Sequence, residues 1–456
     1  MSYDAAKHPV LSGRLLLGLM CVFILAAPSR RTLHAQTTVN VSSLAELQAA
    51  VRKSNQAIVM KPGRYALTDL PKRSRSIACS GSGNTIELSG VYVNAPVGAT
   101  RRSYITISGA GNTFKGGVFE DTYKSGLKKV TDFSSYNRNR STLAKGLRGA
   151  AVFAITGDSN KVVGVKLTVR GSFPYGYGSI YGIGADNAYG LDKRCGILIK
   201  GKSNTIDRCE VQQRAFGHGI YMQRPADKTA IKNCLVEGVM RASKDLYIET
   251  DPGDLPAKSG YKLPLNRNRP IPRDVMLPLS EDGIRVYNGG GSVTVSNCTV
   301  KKMRGGIRLY MASSATVSNS RAVDCGHTNF NMPRRGRITG SVGNFAYGPL
   351  SDFRLSRSRQ RIELTILPSP NAVGTHNVAD ILGDDHNIVF HRPKGPIAGK
   401  LRRIVVHGDD STIRNETEYP VILQSSAGGN TVVSFGPVTD LGKGNKVSRL
   451  AQPNSK

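Results

Sequence analysis

Gly217-His218-Gly219-Ile220-Tyr221-Met222-Gln223 and Glu281-Asp282-Gly283-Ile284-Arg285-Val286-Tyr287 are two copies of one strand. Gly305-Gly306-Ile307-Arg308-Leu309-Tyr310 is a third and Cys195-Gly196-Ile197-Leu198-Ile199-Lys200 a fainter fourth. Aligned on the Gly-Ile pair, Ile197 to Ile220 is 23 residues and Ile284 to Ile307 is again 23. Ile220 to Ile284 is 64, one period plus an insertion of 41. A fixed short period is the mark of a repeat architecture. The copies are short, alternating and rich in branched residues, as strands are. The chain therefore reads as a solenoid of strands.

A recurring turn signature extends this frame. It runs Gly83-Asn84-Thr85-Ile86, Gly111-Asn112-Thr113-Phe114, Ser159-Asn160-Lys161-Val162 and Ser203-Asn204-Thr205-Ile206. It returns as Asp410-Ser411-Thr412-Ile413, Gly429-Asn430-Thr431-Val432 and Gly444-Asn445-Lys446-Val447. Asn and Gly tolerate left-handed backbone, so these positions mark one corner of successive coils. After the corner, Cys209, Cys234 and Cys298 hold equivalent places. Stacked strands lie about 4.8 Å apart, which leaves a disulfide conceivable, but an interior ladder of free thiols suits so buried a residue type better. Residues 350–380 carry the weakest pattern and are expected to be an irregular loop. Ser42-Ser43-Leu44-Ala45-Glu46-Leu47 reads as a capped helix start, placed to cover the first coil.

The chain of 456 residues carries a net charge of +31, spread along its length, with 50 glycines and no Trp. Such a charge points to a polyanionic partner. Lys7 and Arg14 precede the apolar run Leu15–Ala27, too short for a spanning helix of about 20 residues but right for a secretory signal over residues 1–35. A secreted or periplasmic monomer is expected, free of the membrane once the signal is removed. In that setting an anionic polysaccharide is the expected partner rather than nucleic acid.

The pattern over residues 42–448 resembles the right-handed parallel β-helix proteins, among them polysaccharide lyases. Leu44–Ala50, Ile58-Val59 and Pro62-Gly63-Arg64-Tyr65 are similar to the cap and first rung of the alginate lyase and chondroitinase B family. The resemblance implies an all-β, pectin lyase-like solenoid from 36 to 448, with loop insertions at about 171–193 and 239–278 and a disordered tail at 449–456. Gly217-His218-Gly219-Ile220 also looks like the Gly-His-Gly motif of polygalacturonases, and Glu281-Asp282-Gly283-Ile284 like the end of their Asn-Thr-Asp motif. The adjacent aspartates of that family are missing and the order is reversed.

Alternation sends Leu198, Tyr221, Arg285 and Arg308 outward from the inward isoleucines, with Lys200, Gln223, Tyr287 and Tyr310 two positions on. Two exposed columns of Arg and Tyr would offer bidentate partners for carboxylate or sulfate and rings for sugar faces. His218 and Asp282 share a third column, which parity would turn inward unless the strand's start exposes it. The expected reaction is β-elimination on a uronate, with Arg285 and Arg308 on the carboxylate, His218 as base and Tyr221 as acid. Lys244 or Lys258, from the insertion, would replace His218 as base. Asp251 and Asp254 are the positions at which the resemblance implies calcium, without a diagnostic ligand spacing. Inverting hydrolysis, C5-epimerisation and binding without catalysis are the alternatives.

Overall fold

The computed structural model describes residues 36–451 apart from 98, 101, 123–149, 171–193, 243, 245–273, 279, 288, 355, 395–398 and 400. The expected signal segment, the 171–193 insertion, most of the 239–278 insertion and the last residues of the tail lie outside the described residues. Ile197, Ile220, Ile284 and Ile307 pair in register, and Phe330 takes the next place. All are buried. The glycine beside each isoleucine faces the interior as well. A Cβ on Gly219 would lie 2.3 Å from Val236 Cγ1, and one on Gly283 2.2 Å from Val300 Cγ1. Only a residue without a side chain lets this strand approach the opposite wall so closely. Two successive inward positions break the alternation, and the residue before each glycine is thereby returned to the outer face.

Coils contribute one strand each to a 13-stranded parallel sheet and their remaining strands to a bent 21-stranded sheet that forms the other walls. The result is a single right-handed parallel β-helix, the hand expected of parallel crossover connections. Its interior is one apolar cluster running from Val41 to Val432.

The corner asparagines form the expected column. Asn84, Asn112, Asn160 and Asn204 are buried. Each Oδ1 accepts from the preceding coil's backbone: Gln56 N–H to Asn84 at 2.8 Å, Asn84 to Asn112 and Asn112 to Asn160 at 2.9 Å, Asn160 to Asn204 at 2.8 Å. A hydrogen bond of this kind contributes about 0.5–1.5 kcal/mol, against about 1.5–3 for burying an isoleucine. The core therefore holds the solenoid together, and the ladder sets its register. Cys209, Cys234 and Cys298 are free and buried, as the interior-ladder reading expects. Ser320 and Ser341 continue the column, each hydroxyl accepting from the preceding coil's N–H.

The first coil is covered by helix Leu44–Ala50, whose Leu44, Leu47 and Ala50 are buried. Ser43 Oγ accepts from Glu46 N–H at 3.1 Å, while Glu46 accepts from Ser42 N–H at 2.7 Å. Residues 350–380 are not an irregular loop. Strands Ser351–Phe353, Arg361–Ile366 and Ala379–Ile381 continue the walls. The stretch looked irregular because the asparagine corner is rebuilt from other residues. Gln360 N–H donates to His386 Nδ1 at 3.2 Å, His386 N–H to Ser411 Oγ at 3.1 Å and Ser411 N–H to Asn430 Oδ1 at 2.9 Å. The 239–278 insertion leaves and rejoins through an antiparallel ribbon, Met240–Ala242 against Met276–Pro278.

Candidate active site

The strand register sets Tyr221, Arg285 and Arg308 side by side on the outer face of the 13-stranded sheet, as alternation requires. These side chains are not the exposed columns expected. Tyr221 is 4% exposed, Arg285 and Arg308 6%, and Tyr310 7%. His218 and Asp282 lie on that same outer side, because the inward glycine shifts the phase. His218 stands 5.5 Å from Tyr221 and 5.3 Å from Tyr287 between ring centroids. What looked in the sequence like a solvated ligand face is a buried polar cluster.

Asp282 is its centre. Arg308 Nη1 lies 3.1 Å from Oδ1, Arg304 Nε 3.5 Å from Oδ1, and Arg285 Nε 3.7 Å from Oδ2. Burial alone would raise the Asp282 pKa, but Arg308, Arg304, His218 and Arg285 outweigh it and hold the carboxyl well below the usual range. Glu281, beside it in the sequence, lies 3.1 Å from His218 Nε2 and 3.5 Å from Arg304 Nη2. Arg285 Nη2 donates to Tyr310 Oη at 2.7 Å. The Tyr310 ring meets the Arg285 guanidinium at 4.4 Å and that of Arg354 at 4.1 Å. Arg304 and Arg354 carried no sequence signal, since both fall outside the Gly-Ile frame.

His218 is fixed in one tautomer. Its Nδ1 faces the Asp282 backbone N–H at 3.2 Å and must accept. The ring proton then sits on Nε2, which lies 2.5 Å from Tyr287 Oη. This arrangement engages the one lone pair of His218 with the Asp282 N–H, which disfavours the role of base expected from the sequence. Burial, then the Cys195 thiol, push the Tyr221 pKa up, and burial followed by Glu281 does the same for Tyr287 despite Arg285. Both shifts favour the protonated phenol.

Three guanidiniums, of Arg285, Arg304 and Arg308, thus enclose two carboxylates. Among the described residues, Nε and Nη1 of Arg285, Nε of Arg304 and Nε of Arg308 find no hydrogen-bond acceptor. Beside the cluster opens a depression of about 760 Å³ lined by Asp352, Phe353, Arg354, Ser356 and Leu382. Asp352 pairs in register with Asp380 of the next coil. Lys200 and Gln223 stand half-buried in the column of Tyr287 and Tyr310, and Lys244 is exposed just beyond the ribbon. Lys258, Asp251 and Asp254 lie outside the described residues. Among the described residues no group of three or more His, Cys, Asp or Glu side chains is placed to hold a metal ion, and no helix is long and apolar enough to cross a membrane.

No protein-family description and no curated protein matches the chain. Among solved structures it is similar to the catalytic domain of a GH87 α-1,3-glucanase in complex with nigerose, at 11% identity and a TM-score of 0.44, covering 94% of this chain and 70% of that one. It is similar also to the Dettilon tailspike protein, at 12% identity and a TM-score of 0.47, covering 89% and 68%. An alginate lyase in complex with G6 matches at 12% identity and a TM-score of 0.40, covering 91% and 89%. Likenesses of this degree assign no reaction to this chain.

Proposed function

We propose that the protein is a secreted enzyme that cleaves a uronate-containing polysaccharide by β-elimination at the cluster around Asp282. The observation that carries this reading is the surplus of buried guanidinium. Three arginines face two carboxylates, and four of their nitrogens find no hydrogen-bond acceptor among the described residues. A buried charge without a full set of partners is costly, and a sugar carboxylate entering from the 760 Å³ depression would supply the missing acceptor. Arg285 and Arg308 would then stabilise the negative charge that builds on that carboxylate as C5 is deprotonated.

Glu281, 3.1 Å from His218 Nε2, takes the C5 proton. The C–H electrons form the C4–C5 double bond, the C4–O4 bond breaks, and a tyrosine, Tyr221 or Tyr287, protonates O4. The raised phenol pKa values keep that proton in place, although they make each phenol a weaker acid. Incubation with a polyuronate panel tests it: new ultraviolet absorbance from the unsaturated product is expected. Tyr221→Phe or Tyr287→Phe should lower turnover by about 10²–10⁴, and Arg285→Ala should abolish it. Full activity in both phenylalanine variants would place the chemistry elsewhere.

The second reading is hydrolysis, with Asp352 at the open depression and its in-register neighbour Asp380 as the candidate carboxylates. It predicts new reducing ends without absorbance. Proton NMR of the polymer separates C5-epimerisation, and binding without any product leaves a non-catalytic protein.

A further inference from the structure

One corner of the solenoid carries an arrangement that the candidate site does not use. Arg337 and Arg361 are direct in-register partners, and both are exposed. In the same column Thr316 precedes them and Asn387 follows. Two residues earlier in each coil stand Arg335 and Arg359, also exposed. Their backbone N–H groups make equivalent corner bonds, to Ser358 O at 3.1 Å and Asp384 O at 2.9 Å. Four arginines thus form a square on two coils, about 4.8 Å apart along the solenoid.

The square is unfavourable by two independent measures. Like charges directly opposite each other on neighbouring strands repel. Arg335 and Arg359 also hold φ of +59° and +63°, where the same corner elsewhere uses Ser203, Lys228, Asp385, Asp410, Gly429 and Gly444. Arginine is a poorer choice for left-handed backbone than Gly or Asp, though Arg208, Lys228 and Lys302 hold it as well. The four guanidiniums line one half of a groove of about 560 Å³. Asp385 and Asp410 line its other end, and Asp385 already engages Arg359 Nε at 3.0 Å. Residues held against both charge and backbone preference mark a place where an absent partner repays the cost.

We infer that this arginine square is a second binding site, an anchor outside the cleavage site for an acidic polysaccharide bearing carboxylate or sulfate groups. Planar guanidiniums one coil apart can each grip an anionic group of successive sugars bidentately. Continuity with the candidate site favours a glycan over nucleic acid. The coil that supplies Arg359 and Arg361 also supplies Arg354, stacked on Tyr310. A chain held in the depression beside Arg354 has the square ahead of it on the same coil.

The choice of polymer rests on the function proposed above, and the test keeps the two apart. The four-fold variant Arg335→Gly, Arg337→Thr, Arg359→Gly, Arg361→Thr gives the corner residues that other coils already use. Binding of full-length protein to polygalacturonate, polyguluronate and heparin is measured by calorimetry at low and high salt. A control replaces exposed Arg52, Lys53, Lys72 and Arg73 by Gln, removing the same charge. The square variant should bind its best polymer at least about tenfold more weakly at low salt, with a flatter salt dependence and an unchanged or raised melting temperature, while the control stays near wild type. Equal weakening in the control, or no weakening in the square variant, overturns the site. Duplex DNA bound more tightly than every glycan, and lost with the same four substitutions, overturns the ligand class. If no polymer is cleaved yet binding still depends on the square, the anchor stands and the lyase reading falls. If a polymer is cleaved and the variant binds it as wild type does, the reverse holds.

Discussion

Asp282 shows how a residue can be legible in identity and not in role. Its place in Glu-Asp-Gly-Ile-Arg-Val-Tyr is plain in the sequence, but alternation alone turns it into the core. The strand's phase change at Gly283 puts it instead among Arg285, Arg304 and Arg308. Removing its charge would strand three buried cations. Asp282→Asn should destabilise the fold by about 3–5 kcal/mol, read as a lower urea midpoint at unchanged slope. Because the folded pKa is depressed, this stability is present above the unfolded carboxyl pKa of about 4 and is lost as pH falls below it. The denaturation curves of wild type and of the Asp282→Asn variant should therefore converge in acid. The outward columns of Tyr221, Arg285 and Arg308 were legible from period two. Their burial was not, since no local pattern reports what lies over a strand.

At the level of the strand and its corner, two features control packing. Gly219 lets the Gly-Ile strand approach Val236, and a Cβ there would lie 2.3 Å from Cγ1. Gly219→Ala should cost about 1–3 kcal/mol by overpacking, and Val236→Ala in the same chain should recover part of that loss. A loss equal to the sum of the two single changes would remove this contact as the cause. In the corner, His386 stands in a place filled elsewhere by Asn. Its Nδ1 accepts from Gln360 N–H, and Nε2–H donates to Leu382 O at 3.1 Å. Burial lowers its pKa, against the Leu382 bond, so the folded chain keeps it neutral where the unfolded chain takes up a proton. The stability of wild type relative to His386→Asn should therefore fall as pH drops below about 6.5 and stay level above it. A difference independent of pH would show that His386 does not titrate with folding. This substitution of residue type also explains why 350–380 read as irregular: the corner chemistry persists there, but not the letters Asn-Thr or Asn-Lys.

Over the whole molecule the sequence pattern was most informative where the same physical demand recurs. The 23-residue spacing, the corner asparagines and the thiol column each repeat because every coil solves one packing problem. The candidate site is built from departures from that pattern, Glu281, Arg304 and Arg354 among them, and a single chain gives such departures no second copy for comparison.

The asparagine ladder has a bearing on how such a chain changes over generations. Asn112 accepts from Asn84 N–H and Asn160 from Asn112 N–H, so each coil presents to the next the same donor that it received. A coil is thus an interchangeable part. Gain or loss of one whole coil by unequal recombination leaves a matched joint on either side, and the length of the molecule is open to selection without redesign of the core.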